Sequence, residues 1–129
     1  MILAAGGAPA TLRSRAEFLR TARGGRAFSR GFVLQGRPRD AEVSEPAPDE
    51  DDGQIRVGYT CSKKVGNAVA RNRAKRRLRA LAREVIPAHG RPGWDYVLIG
   101  KAGSTASRDF SLLKDDLARA LAELHEAAA

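Results

Sequence analysis

Cysteine is almost missing from this 129-residue chain. Cys61 stands alone, so no internal disulfide can form, and the usage fits a reducing compartment. In the apolar run around it, Cys61 reads as a strand residue turned inward rather than a reactive thiol. Histidine is also scarce. His89 and His125 have no Cys or His partner at ligand spacing, which excludes the common zinc patterns. Long hydrophobic runs are absent. The opening MILAAGGAPA is small and apolar but lacks a basic flank, and it is too short for a signal peptide or a membrane span. Residues 1–10 therefore read as a disordered extension and residues 11–129 as one domain of a cytoplasmic, non-membrane protein. Catalytic constellations are missing too. The chain has no Ser/His/Asp set, no spaced carboxylate pair in a foldable segment and no phosphate loop, so it does not read as a nuclease by itself.

Charge is abundant, and it is sorted. The formal net charge is +8, but residues 40–53 hold seven acids and no Lys or Arg. The rest of the chain therefore carries +15. A body that basic points to nucleic acid. From Lys63 to Arg83 there are nine Lys or Arg and no acid. A run of this kind repels itself and needs a polyanionic partner.

Hydrophobic periodicity sets out the elements. Residues 11–22 read as a short helix with Leu12, Ala16 and Leu19 together and Phe18 at the edge. Gly24-Gly25 ends it. Residues 26–36 read as extended, with Phe28, Phe32 and Leu34 on one parity and Gly31 at a bend. Residues from about 38 to 54 have three prolines and the acid run, which predicts a flexible loop. Residues 55–62 alternate, with Ile55, Val57, Tyr59 and Cys61 on one side. A helix follows from about Asn67 to Val85, before Pro87. Residues 94–101 read as an interior strand, apolar on both faces from Tyr96 to Ile99. Phe110, Leu113, Leu117, Ala120, Leu121 and Leu124 form the stripe of a last helix, capped by Ser107. The order is α-β-β-β-α-β-α, an α+β sandwich of one four-stranded sheet with helices packed on it.

On a helical wheel the basic segment has one apolar arc, with Ala70, Ala74, Leu78, Leu81, Ala82 and Val85. Asn72, Lys75, Arg76, Arg79 and Arg83 share one flank, and Arg73 and Arg77 fall on the other. Two basic flanks allow two nucleic-acid contacts from one element. Arginine forks suit phosphate, and Asn72 can read a base edge or a sugar hydroxyl. Lys63, Lys64 and the Gly66-Asn67 turn place the free N–H groups of a helix start beside this charge.

The ordered string Lys63, Lys64, Gly66, Asn67, Ala68, Val69, Arg71, Asn72, Arg73, Lys75, Arg76, with Arg79 one turn on, resembles the signature of the bacterial ribonuclease P protein family. The flanking AEFLRTARGGRAFSRGFVLQ and WDYVLIGKAG extend the resemblance over most of residues 12–124. It implies a left-handed strand–helix–strand crossover, as in some ribosomal proteins, against the usual right-handed rule. It implies an accessory subunit, one monomer per RNA, that binds a catalytic RNA subunit and the 5′ leader of precursor tRNA. The leader is then removed with Mg²⁺ held mainly by RNA, and no catalytic residue lies in the protein. The RNA-binding set implied is Lys63, Lys64, Asn67, Arg71, Asn72, Arg73, Lys75, Arg76, Arg79 and Arg83. The leader cleft implied is Arg13, Phe18, Phe32, Leu34, Gln35, Asn72, Lys75 and Arg79. Ala22 and Gln35 stand where family members often carry aromatics. A ribosomal or rRNA-binding structural protein is the alternative; a DNA-binding zipper is excluded by Pro87 and the lack of heptads.

Overall fold

The computed structural model describes residues 9–39 and 53–128. A short strand β1 (Ala10–Thr11) precedes α1 (Arg15–Ala22), β2 (Gly25–Phe28), β3 (Phe32–Pro38) and β4 (Arg56–Cys61). A 3-10 turn (Lys63–Val65) leads into α2 (Ala68–His89). Strand β5 (Trp94–Gly100), the short α3 (Ser104–Ser107) and α4 (Phe110–Ala128) complete the chain. Among the described residues the sheet has five strands in the order β1-β4-β5-β3-β2. It is mixed, since β4 pairs with β1 and with β5 in parallel while β3 runs antiparallel to β5 and to β2.

The expected four strands are present, and the fifth is β1. Ala10, assigned from sequence to a disordered extension, pairs with Arg56, and Leu12 N–H donates to the Val57 carbonyl. Two polar residues explain the shift. Ser14 and Glu17 form a reciprocal capping box that starts α1 at Arg15, not at Thr11. Leu12 is therefore outside the helix and buried beside the sheet, while Ala16 and Leu19 face solvent. Phe18 and Thr21 face the sheet in their place; Phe18 is half-buried and Thr21 fully buried.

Pairing register sorts every strand residue onto one of two faces. One face carries Ala27, Phe32, Leu34, Val57, Tyr96 and Leu98, buried beneath α2 and α4. Leu78, Leu81 and Ile86 of α2 and Leu113, Leu117, Leu121 and Leu124 of α4 close this core, as their helical spacing requires. Helix α2 runs beyond Pro87 to His89. Pro87 lies in the last turn, where the only N–H it removes would have pointed at Arg83, an exposed residue. The Phe28 expectation fails because a turn at residues 29–31 separates β2 from β3 and resets the parity. Phe28 pairs with Val33, on the opposite face from Phe32 and Leu34.

That opposite face carries α1 and is built of three cross-strand rows. The first holds Arg37, Asp95 and Arg56, tied to the helix by an Arg56–Glu17 ion pair of 3.3 Å. The second is Arg26, Gln35, Val97 and Gly58. The third is Phe28, Val33, Ile99 and Thr60. Helix α1 covers the second row, where a Cβ on Gly58 would meet the Phe18 ring at 2.5 Å. The third row stays open, so Ile99 is only half-buried although an interior strand bearing it was expected to be buried on both faces.

The acidic loop was expected at about residues 38–54; residues 40–52 lie outside those described. Its two ends meet at one residue. Arg39 N–H donates to the Gly93 carbonyl and Gly93 N–H to the Gly53 carbonyl, both at 2.9 Å.

Candidate nucleic-acid interface

The motif helix is positioned by its own start. Ser62 accepts a hydrogen bond from Lys64 N–H at 3.2 Å and holds Lys63–Val65 in a single tight turn. Gly66 follows with φ 141°, a conformation that side chains rarely adopt, and a Cβ there would also strike Ala70 at 2.8 Å. Asn67 then caps α2, its side-chain oxygen accepting from Ala70 N–H at 2.9 Å. Asn67 thus has a structural task beside the contact role expected of it, and one N–H of the expected anion site is already satisfied.

The apolar arc of the wheel is realised. Ala74, Leu78, Leu81, Ala82 and Val85 are buried, while Val69 on the opposite side is exposed. Lys63, Lys64, Asn72, Arg73, Arg76, Arg79 and Arg83 are all exposed. Among the described residues, none of these six cations has a carboxylate partner. Three arginines elsewhere are spent internally. Arg39 and Arg56 share Asp95 at 2.6 and 3.0 Å, and Arg108 holds Asp116 at 2.8 Å. Asp95 and Asp116 are therefore taken up within the scaffold and leave the motif cations unneutralised.

Three basic residues of the helix are more constrained. Arg71 is half-buried and donates to the Gly66 carbonyl at 2.8 Å. Lys75 is half-buried and lies near Cys61, whose thiol is pushed up by burial, with Lys75 and then Arg71 pulling the other way. Cys61 thus stays a protonated, half-buried strand residue. Arg77 donates to the Thr105 and Ala106 carbonyls at 3.3 and 2.7 Å and joins α2 to α3. Arg79 lies over the Tyr59 ring, 5.3 Å from its centroid. Burial raises the Tyr59 hydroxyl above its ordinary range against the pull of Arg79 and Arg83.

The helix accepts this charge at a cost. Lys75, Arg79 and Arg83 recur every four residues, where like charges disfavour the helix by about 0.2–0.5 kcal/mol per pair. The first turn holds no acid, so the dipole of the N-terminus is met by cations instead. A polyanion lying along the helix reverses both terms.

The residues expected in a leader cleft divide into three groups. Phe18 and Gln35 lie on the α1 face, with Arg13 exposed just ahead of α1. Asn72, Lys75 and Arg79 belong to α2, on the other side of the sheet. Phe32 and Leu34 are fully buried under α2 and α4 and line no surface, which corrects their assignment. Gln35 is 7% exposed beneath α1 and does not form an open floor. The open floor is the third row, from Thr60 to Phe28, which sequence reasoning did not single out. Only cross-strand register reveals it, because these four residues come from four separate strands.

No helix among the described residues is long and apolar enough to cross a membrane. The sequence model of the Ribonuclease P family matches residues 8–125. The chain is 59% identical over 114 residues to the ribonuclease P protein component of Ruegeria pomeroyi, covering 88% of this chain and 85% of that one. It is 47% identical over 114 residues to the component from Caulobacter vibrioides, covering 88% and 69%. The fold is similar to the solved ribonuclease P protein of Thermotoga maritima, with a TM-score of 0.66 at 24% identity over 88% of this chain and 96% of that one. The Staphylococcus aureus protein gives 0.64 at 24% identity, covering 88% and 93%. With the family match spanning nearly the whole folded body, the chain belongs to the ribonuclease P protein-component family.

Proposed function

We propose that this protein binds the RNA subunit of ribonuclease P through the exposed cations of α2 and its leading turn, and holds the 5′ leader of precursor tRNA against the α1 face. The observation that carries the reading is the contrast in pairing. Arg39, Arg56, Arg108 and Arg119 of the scaffold have carboxylate partners, while the clustered Arg73, Arg76, Arg79 and Arg83 of α2 have none among the described residues. Such a surface exchanges counterions for phosphates. The single-stranded leader suits an open sheet face with apolar and aromatic side chains.

The chemistry then belongs to the RNA and its Mg²⁺. Among the described residues no three His, Cys, Asp or Glu converge. The buried carboxylates, Asp95 and Asp116, are engaged by arginines. Neither of these two carboxylates is left open to hold a magnesium ion. The protein's contribution is binding energy. It acts in the cytoplasm as a monomer, one per RNA.

The test compares dissociation constants of the reconstituted holoenzyme for precursor and mature tRNA. Adding the protein is expected to tighten precursor binding more than mature binding. Equal tightening of both would remove the leader from the reading, and failure to bind the RNA subunit would remove the whole of it.

A further inference from the structure

The third row of the α1 face leads to a pocket. Thr60, Ile99, Val33 and Phe28 stand side by side across β4, β5, β3 and β2, a span of about 14 Å. Thr60, Ile99 and Val33 are half-buried, and Phe28 is 66% exposed. Of the chain's seven aromatic side chains, Phe28 is the only exposed one. Its exposure is therefore a departure from how this sequence uses its scarce rings. Arg26 lies over it, 6.0 Å from the centroid.

Just beyond Phe28 a pocket of about 340 Å³ opens between the β2–β3 turn and α4, lined by Phe28, Ser29, Arg30, Arg108, Asp116 and Arg119. Three guanidiniums thus face one carboxylate. Asp116 is buried and bonded to Arg108 at 2.8 and 3.3 Å and to Arg119 at 3.4 Å. That pairing orients Arg108 and Arg119 while leaving the pocket positive. Arg30 is exposed and has no carboxylate partner among the described residues. The turn that carries it is held firmly. Lys101 donates to the Ser29 carbonyl, and Thr105 donates to the Gly31 carbonyl at 2.6 Å.

The row and the motif share one end of the sheet. Cys61 pairs with Gly100, and Gly100 with Phe32, so the chain after β4, after β5 and before β3 emerges on a common rim. Lys63 and Lys64, Lys101, and Arg30 follow along it. A polyanion at the motif turn therefore has a continuous positive and apolar path toward Phe28.

We propose that this row and pocket extend the leader site, with an upstream leader base stacked on Phe28 and its phosphate held by Arg30, Arg108 and Arg119. The proposal rests on the leader reading above and adds the place where the strand leaves the protein. Stacking needs a π-face, which Phe28 presents, and guanidinium forks match phosphate oxygens. A protein ligand is disfavoured because the path is basic from end to end and only one residue wide in apolar character.

The experiment uses the holoenzyme reconstituted with its RNA subunit and precursors carrying either a long or a single-nucleotide leader. Phe28→Ala and Arg30→Ala should each weaken binding of the long-leader precursor, the first by about fivefold or more. Binding of the short-leader precursor and of the RNA subunit should stay at wild-type level. Phe28→Trp should restore affinity and Phe28→Leu should not. If wild type prefers long leaders but Phe28→Ala leaves that preference intact, the pocket assignment fails and the leader reading stands. If wild type shows no dependence on leader length, both fail. Equal loss on long and short leaders, or loss of RNA-subunit binding, would assign the pocket to the RNA subunit and overturn the proposal. Full rescue by Phe28→Leu would overturn stacking.

Discussion

Gly58→Ala is the sharpest probe of how α1 sits on the sheet. Gly58 lies in β4 with ordinary strand backbone, so alanine meets no conformational strain there. The obstacle is Phe18. A Cβ at position 58 would lie 2.5 and 2.6 Å from two atoms of its ring, roughly 1 Å inside ordinary contact, and 3.2 Å from the Leu12 Cβ. The ring must tilt away or lift α1, and overpacking of this size costs about 1–3 kcal/mol. Removing the ring removes the obstacle. In a Phe18→Ala background the same substitution should be nearly neutral, since alanine recovers about 0.5 kcal/mol of glycine's chain entropy while Leu12 gives way slightly. Urea denaturation of wild type, both single variants and the double variant gives the coupling energy, expected to be at least about 1 kcal/mol. Additive single effects would show that Phe18 does not rest on Gly58. Because Phe18 also borders the proposed leader path, Gly58→Ala should lower the preference for precursor over mature tRNA.

Arg73→Ala with Arg76→Ala should weaken assembly with the RNA subunit and reduce the salt slope of binding by about one per arginine, while stability moves by no more than about 0.5 kcal/mol. Unchanged salt dependence would take these two residues out of the interface. Arg71→Ala should differ, costing about 0.5–1.5 kcal/mol of stability as well, because its bond to the Gly66 carbonyl is lost. Gln35→Tyr should destabilise the fold by about 1–3 kcal/mol in urea titrations, since Gln35 is buried under α1; a stable variant with tighter leader binding would restore the open-cleft view. His125 is buried against Trp94 and bonded to the Tyr96 hydroxyl at 2.6 Å, and burial, then Arg91, holds its pKa below the ordinary 6.5. The unfolded chain binds the proton first, so His125 stabilises the fold above pH 6.5, and that contribution should fall as pH drops below it. His125→Gln should flatten the stability profile between about pH 7.5 and 5.5; an identical slope in the variant would refute the assignment.

Much of this protein is written locally. Charge sorting, the wheel of α2, the stripe of α4 and the alternation of β4 all depend on residues a few positions apart, so periodicity alone places them. The motif string carries the family for the same reason, being one unbroken segment whose spacing survives in one dimension. The start of α1 was also within local reach, since Ser14 and Glu17 are a cap signal, but the apolar triplet Leu12, Ala16 and Leu19 outweighed it. Tertiary structure decided what depends on register. Whether Gln35 or Val33 is left uncovered follows from which row α1 covers, and that is set by the contact of Phe18 with Gly58 on a strand far along the chain. Phe28 and Phe32 look alike in sequence, yet a turn between them sends one to solvent and the other to the core. Arg30, Arg108 and Arg119 become one pocket only when the β2–β3 turn meets α4. Such groupings join residues distant in the chain through hydrogen-bonded pairing and packing, which no local pattern encodes.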